Sequence, residues 1–356
     1  MALLVFVHGY NLEERYLQPW SMPPEALTWT TFTEYFLANG ILRFRIPMLF
    51  LISGYLFAMH DQAPHQERVM KRVRTLLVPY LLWSALCLLL FYAFETFSVG
   101  RAWIAASHVA QIDDTRMLVH EYHWYEFLIR WILAPLPYQL WFIRVLFFYN
   151  LAYPLIKRWV AGQTSKRVFF SIAVSLWLIS GGFFLFEGEG LLFFSLGVWM
   201  QKTSFDIDKP GRLLNPRWWA LVFLGAATIK TLLAFDGLAM IGNAAYPAMM
   251  LLHKLTVFSG LVTAWFCGDS IVRWCMSRRW FVWLTSFSFI IYVVRAPRVA
   301  VAIDPVFDLL GRGPGYQMLT FVFLPLAFIA FAVLLGALLR KVAPATYGLL
   351  TGGRGM

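Results

Sequence analysis

Apolar runs close to the length of a bilayer crossing recur along this chain with only short polar breaks between them, and that feature settles its solvent. A helix that crosses the hydrocarbon needs about 20 mostly apolar residues, and at least eight stretches here approach or exceed that length. Hydrophobic residues fill 60% of the 356 positions and charged ones 14%, too few to cover a water-soluble domain of this size. The fold class expected is all-α: a polytopic integral membrane protein of about ten transmembrane helices in one bundle, with residues 1–356 as a single domain. The net charge of +11 sits in short clusters between apolar runs. Orientation in a membrane explains such clusters more simply than nucleic acid does, so no nucleic-acid partner is expected.

The expected crossings are residues 1–10, 41–59, 75–94, 138–156, 168–186, 191–200, 218–235, 238–266, 281–303 and 318–339. The residues before His8 rise only about 10 Å as a helix, so the first run is either the last part of a longer helix or an unusually short one. Residues 95–137 contain His108, His120, His123 and many aromatics, and suit a loop whose amphipathic helices lie at the interface. With the N-terminus inside, the inner loops 59–74, 157–167, 201–217 and 268–280 and the tail 340–356 hold 18 of the 30 Lys and Arg residues. Positive charge favours the cytoplasmic side, so both termini are expected in the cytoplasm. Cys87, Cys267 and Cys275 form no CxxC pair and support neither a disulfide framework nor a zinc site.

Several cations lie in or beside apolar runs. A cation at mid-helix costs about 2.5–3.5 kcal/mol on insertion scales, so a chain that keeps several usually has an anionic ligand for them. Arg43 is explained by snorkelling from the outer boundary. Arg45 and Arg144 precede large apolar residues, and neither has a carboxylate at i±3 or i±4. Lys230, His253 and Lys254 are similar. Arg72 and Arg74 open the third run, behind Arg68 and Lys71, which read as topology signal and headgroup contacts. Guanidinium groups at a helix N-terminus are a natural phosphate site, and a coenzyme A thioester would fit there. His8 ends the first run. It is either an interfacial histidine bonded to a neighbour or a general base or acyl acceptor facing the interior, and spacing alone leaves these open. His120 and His123 share a helical face, but no third ligand follows from spacing, and no metal is expected.

Six segments in order carry a resemblance: VFVHGY, PMLFLISGYLF, KRVRTLLVPYLLW, LWFIRVLFFY, FFSLGVWM and SFSFIIYVV. Together, over nearly the whole chain, they resemble the acyltransferase-3 family of integral membrane acyltransferases. The resemblance implies a ten-helix bundle that takes acyl groups from cytoplasmic acyl-CoA and places them on hydroxyls of cell-surface or exported glycans and other acceptors. It implies that His8 is the catalytic histidine and that Arg72 and Arg74 are the basic pair opening the third helix. It also implies a basic residue eleven positions before that histidine. That position falls before Met1, and Arg45 is the cation expected to substitute. Members often carry a histidine after the tyrosine of the ninth helix. This chain reads YVVRAPR there, with Arg295, and no catalytic role is assigned to that position.

The function expected is that of an integral membrane O-acyltransferase in the bacterial inner membrane. It moves a short acyl group, acetyl first among the candidates, from acyl-CoA to a hydroxyl of a glycan or other envelope acceptor. His8 is the catalytic residue, Arg72 and Arg74 bind the donor, and Arg45 and Arg144 orient substrate or stabilise an oxyanion. Acyl-CoA is a co-substrate, no bound cofactor is expected, and membrane lipid is the remaining partner. The rival is a transporter or flippase for an anionic or lipid-linked substrate, which would use the same arginines but has no need of a neutral imidazole at His8.

Overall fold

The computed structural model describes residues 2–14, 17–209, 211–295, 298–311 and 313–355. Met1, expected as the start of the first helix, and the side chain of Arg298 lie outside the described residues. Every expected apolar run contains helix, and the described β-structure is one two-stranded antiparallel hairpin, Gly182–Phe183 with Phe186–Glu187.

By length and hydropathy, four described helical stretches can cross a membrane: Trp29–Met59, His65–Phe94, Pro216–Cys267 and Pro314–Val342. A fifth crossing arises if Trp124–Leu133 and Tyr138–Leu151, bent by 56°, count as one span. The remaining runs make shorter helices, among them Ala2–His8 with 7 residues, Gly188–Lys202 with 15 and Ser288–Val294 with 7. At 1.5 Å per residue the 7-residue pieces reach only about 10 Å, so the count of about ten crossings is not reached on length.

The centre of the bundle is the pair Arg45–Met59 and Gly188–Lys202. A Cβ added at Gly54 would lie 2.0 Å from the Phe194 carbonyl oxygen, and one at Gly197 would lie 2.1 Å from that of Leu51. The two backbones therefore touch, which is how helices associate where lipid removes the hydrophobic drive between them. Aromatics fill the space around this contact. Phe50 packs on Phe142 at 4.7 Å and on Tyr149 at 5.8 Å between ring centroids, and Tyr149 on Phe194 at 5.6 Å.

The structure departs from the sequence expectation in three places. Residues 124–133, expected within an interfacial loop, lie along the helix Val78–Phe94. The Ser84 hydroxyl donates to the Trp131 carbonyl at 2.7 Å and the Tyr80 hydroxyl to that of Ile132 at 2.7 Å. Those are last-turn carbonyls with no helical partner of their own, and side chains from the neighbour satisfy them. The run 168–186 stops being helix at Leu178 and turns back as the hairpin, with Gly182 opposite Glu187. The break between the seventh and eighth runs falls at Gly242, whose φ of 56° a glycine adopts without strain, and not at Asp236–Gly237.

Gly54→Leu or Gly197→Leu should push this central pair apart. A loss of about 1–3 kcal/mol, the usual cost of overpacking, is expected as a lower unfolding temperature in detergent. Unchanged melting of both variants would refute the contact.

Candidate active site

His8 is the last residue of the helix Ala2–His8. Gly9 follows it against Pro325, where a Cβ would meet the proline ring at 2.5 Å, so the first helix ends beside the middle of Pro314–Val342. The His8 Nδ1 lies 2.6 Å from the Tyr138 hydroxyl, and the two rings meet edge-on at 5.5 Å. Tyr138 begins the short helical turn Tyr138–Leu140 at the bend of the broken span. That bend is held by its neighbour: Gln139 Nε2 donates to the Val293 carbonyl at 3.1 Å, and the Tyr292 hydroxyl donates to the Gln139 carbonyl.

Three guanidinium groups act on His8 electrostatically, those of Arg295, Arg45 and Arg43. Arg43 is fixed by Nε to the Asn39 side-chain oxygen at 2.7 Å and by Nη2 to the Leu17 carbonyl at 2.5 Å. Arg45 Nε donates to the Leu42 carbonyl. Arg295 is 4% exposed, with its guanidinium 5.0 Å from the Tyr292 ring centre. Its Nε and Nη1 are buried with no hydrogen-bond partner among the described residues. A buried donor without an acceptor costs about 1–3 kcal/mol, which makes Arg295 the strained member of the group.

Of the expected site residues, His8 and Arg45 are thus brought together. Arg72 lies elsewhere, on a cavity of about 340 Å³ that it lines with Phe57, His60, Arg68 and Lys71. Arg74 does not line it and is exposed. The stretch Val73–Leu77 is π-helical, and its wider turn re-aims the side chains that follow Arg72. The helix Arg45–Met59 joins the two places, with Arg45 at its start and Phe57 near its end, so they are separated by about 20 Å at helical rise. Arg144 lines a third space of about 520 Å³ with Trp141, Ser180 and Glu187, and its guanidinium is 5.9 Å from the Phe184 ring centre.

The remaining cations and histidines that the sequence singled out have neighbours of their own. Lys230 Nζ donates to the Asn39 carbonyl at 2.7 Å and lies 3.1 Å from His253 Nδ1, and Lys254 Nζ donates to the Ser180 hydroxyl at 2.9 Å. His120 Nδ1 is 2.8 Å from Glu95 Oε2 and its ring stacks on Tyr92, while His123 stacks on Tyr125. A mainly apolar groove of about 580 Å³, lined by Leu88, Tyr92, His120 and Trp131 among others, contains none of the expected site residues.

Arg295 and Tyr138 were not assigned from the sequence. Tyr138 carries no spacing signal, since 130 residues separate it from His8. Arg295 gave a signal, a cation inside an apolar run, but nothing in the sequence connects it to the first helix.

Replacing Arg295 by Met should remove two unsatisfied donors while keeping the volume, and should raise stability by about 1–3 kcal/mol. A higher unfolding temperature in detergent is the expected result. A lower one would mean that the guanidinium is satisfied and structural.

Comparison with known proteins bears on what this arrangement is for. The family described as Acyltransferase domain matches residues 1–340. The chain is 24% identical to the Succinoglycan biosynthesis protein ExoH of Rhizobium meliloti (strain 1021) over 358 residues, covering 99% of this chain and 89% of that protein. No solved structure matches it. A match running through nearly all of the chain, over the segments that place His8 and Arg72, shows that the protein belongs to the acyltransferase-3 family of membrane acyltransferases.

Proposed function

We propose that the protein transfers a short acyl group, with acetyl the simplest case, from cytoplasmic acyl-CoA to a hydroxyl of an envelope glycan. The observation that carries this reading is the His8–Tyr138 pair set among Arg45 and Arg295, about 20 Å along one helix from a basic cavity. The similar protein's role in succinoglycan biosynthesis supports a polysaccharide acceptor. In this reading the termini are cytoplasmic, the shorter helices complete about ten crossings within the bundle, and the Arg72 cavity opens to the cytoplasm.

With its proton on Nδ1 and donated to the Tyr138 oxygen, the His8 ring keeps the Nε2 lone pair for substrate. Nε2 takes the proton of the acceptor hydroxyl as that oxygen attacks the thioester carbonyl. Negative charge then gathers on the carbonyl oxygen, where the unsatisfied donors of Arg295 and the charge of Arg45 stabilise it in a dry site. Collapse of the intermediate breaks the carbon–sulfur bond, and the proton on Nε2 passes to the departing thiolate. At the far end Arg72 holds nucleotide phosphate, the pantetheine arm covers the distance between, and Arg74 adds only long-range field. Arg144, in its own groove, is given no step. A transporter or flippase would use the arginines but has no role for a histidine poised on a tyrosine.

His8→Ala should lower the transfer rate by about 10²–10⁴ with near-normal folding, measured as acyl-CoA turnover by the purified protein. Retention of more than about a tenth of the rate would end the general-base role. Arg72→Ala should raise KM for acyl-CoA more than it lowers kcat, because phosphate contacts far from the thioester are mostly uniform binding. Acyl-pantetheine, which lacks those phosphates, should show no such rise, and Arg74→Ala should have a smaller effect on both. Equal losses with the two donors would place Arg72 in structure or topology.

A further inference from the structure

At the rim of the basic cavity one carboxylate gathers three cations from three parts of the chain. Asp61 lies between the cavity-lining residues His60 and Ala63. It meets Lys157 at 2.5 Å, Lys202 at 2.7 Å and Arg68 at 3.5 Å. Lys157 comes from the helix Tyr153–Ala161 and Lys202 ends the helix Gly188–Lys202. Partial burial alone would raise the Asp61 carboxyl, but Lys157 and Lys202 hold it down to about 2. It is therefore ionised near neutral pH, and still leaves the cluster with surplus positive charge. Lys71 and Arg72 on the adjoining wall, against Glu67 alone, add to the surplus.

A clamp built only to tie helices together has no use for that surplus, because the three cations repel one another. Nor does it explain the polar atoms beneath. Arg68 is 8% exposed, with its guanidinium 4.3 Å from the Phe57 ring centre and 4.7 Å from that of Tyr153. Its Nε is buried without a hydrogen-bond partner among the described residues, and Tyr153, 1% exposed, packs beneath the cluster. A buried guanidinium N–H lacking an acceptor, beside excess positive charge, fits an incoming anion.

We infer that this cluster is a second phosphate-binding arm of the donor site, in which Lys157, Lys202 and Arg68 take phosphate oxygens at the nucleotide end of acyl-CoA. Asp61 is the counterion that gathers them and yields to the phosphates. Phosphate outbids a single carboxylate because it carries more charge and more acceptor oxygens. The inference rests on the acyl-CoA reading above. An anionic phospholipid headgroup offers the same phosphate chemistry at a membrane surface, so the test separates the two sources.

Binding of coenzyme A, of pantetheine and of phosphatidylglycerol would be measured on the purified full chain in detergent. The proteins compared are the wild type, Lys157→Ala/Lys202→Ala, Asp61→Asn and Arg72→Ala. The lysine pair variant should weaken coenzyme A roughly tenfold and leave pantetheine unchanged. Asp61→Asn should tighten coenzyme A roughly threefold by removing its competitor, a direction that a purely structural clamp does not produce. If the double variant does not purify as a monodisperse species, Lys157→Gln, at a side chain 47% exposed, makes the same comparison. Coenzyme A affinity within twofold of wild type in the lysine variants, with Arg72→Ala impaired, would overturn this inference alone. No saturable binding of coenzyme A by the wild type would overturn the acyl-CoA reading as well. Loss of phosphatidylglycerol binding with coenzyme A unaffected would assign the cluster to lipid and overturn its place in the donor site.

Discussion

The contact between Gly54 and the Phe194 carbonyl, repeated by Gly197 on Leu51, places everything else in this bundle. Two helices with backbones in touch form a rigid axis, since neither can slide without driving a Cα into a peptide group. One end of that axis carries Arg45 beside His8. The other carries Lys202 and leads into the turn with Asp61, next to the basic cavity. A reaction that joins a charged donor at one depth to a histidine at another needs those depths held constant, and side chains alone would not hold them.

Around the axis the chain treats buried polar groups in two ways. Most are satisfied by a neighbouring segment. Ser84 and Tyr80 cap the carbonyls that end the helical stretch 124–133, and Lys230 is shared between the Asn39 carbonyl and His253. Asn39 in turn holds Arg43, which also reaches the Leu17 carbonyl. Among the exceptions are Arg295 near His8 and Arg68 Nε beside the basic cavity, and others, such as Arg144 Nε and the Ser195 and Thr320 hydroxyls, lie elsewhere in the bundle. In a medium that supplies no water, a donor left unsatisfied is expensive, and its persistence points to a ligand oxygen.

Much of the helical content was legible in the sequence, because bilayer thickness imposes a length on apolar runs that folding cannot alter. The exceptions share one cause. Residues 124–133 read as interfacial because they mix Trp, Tyr, Glu and Arg with aliphatics, and only the hydroxyls of Ser84 and Tyr80 on another helix make a place for their carbonyls. The hairpin at 182–187 was hidden inside a run hydrophobic enough to continue as helix. It forms where Ser180 takes a left-handed conformation, with φ of 51°, and Gly182 lets the Phe186 carbonyl approach closely, and the Tyr149 hydroxyl takes the Glu187 N–H at 3.0 Å.

The sequence by itself determined that the chain is helical and built for a membrane, and that its positive charge collects in a few short loops. It marked His8, Arg72 and Arg74 as costly groups at the ends of apolar runs, while their roles came only from the family resemblance. Tertiary structure alone decided which residues meet. It brought Tyr138 and Arg295 to His8, turned Arg72 inward and Arg74 outward across a π-helical turn, and drew Lys157 and Lys202 onto Asp61. Those pairings span from about a hundred to nearly three hundred positions, and what sets them is the close packing of helices and the need of each buried donor for an acceptor. Neither leaves a periodicity in a single chain of letters.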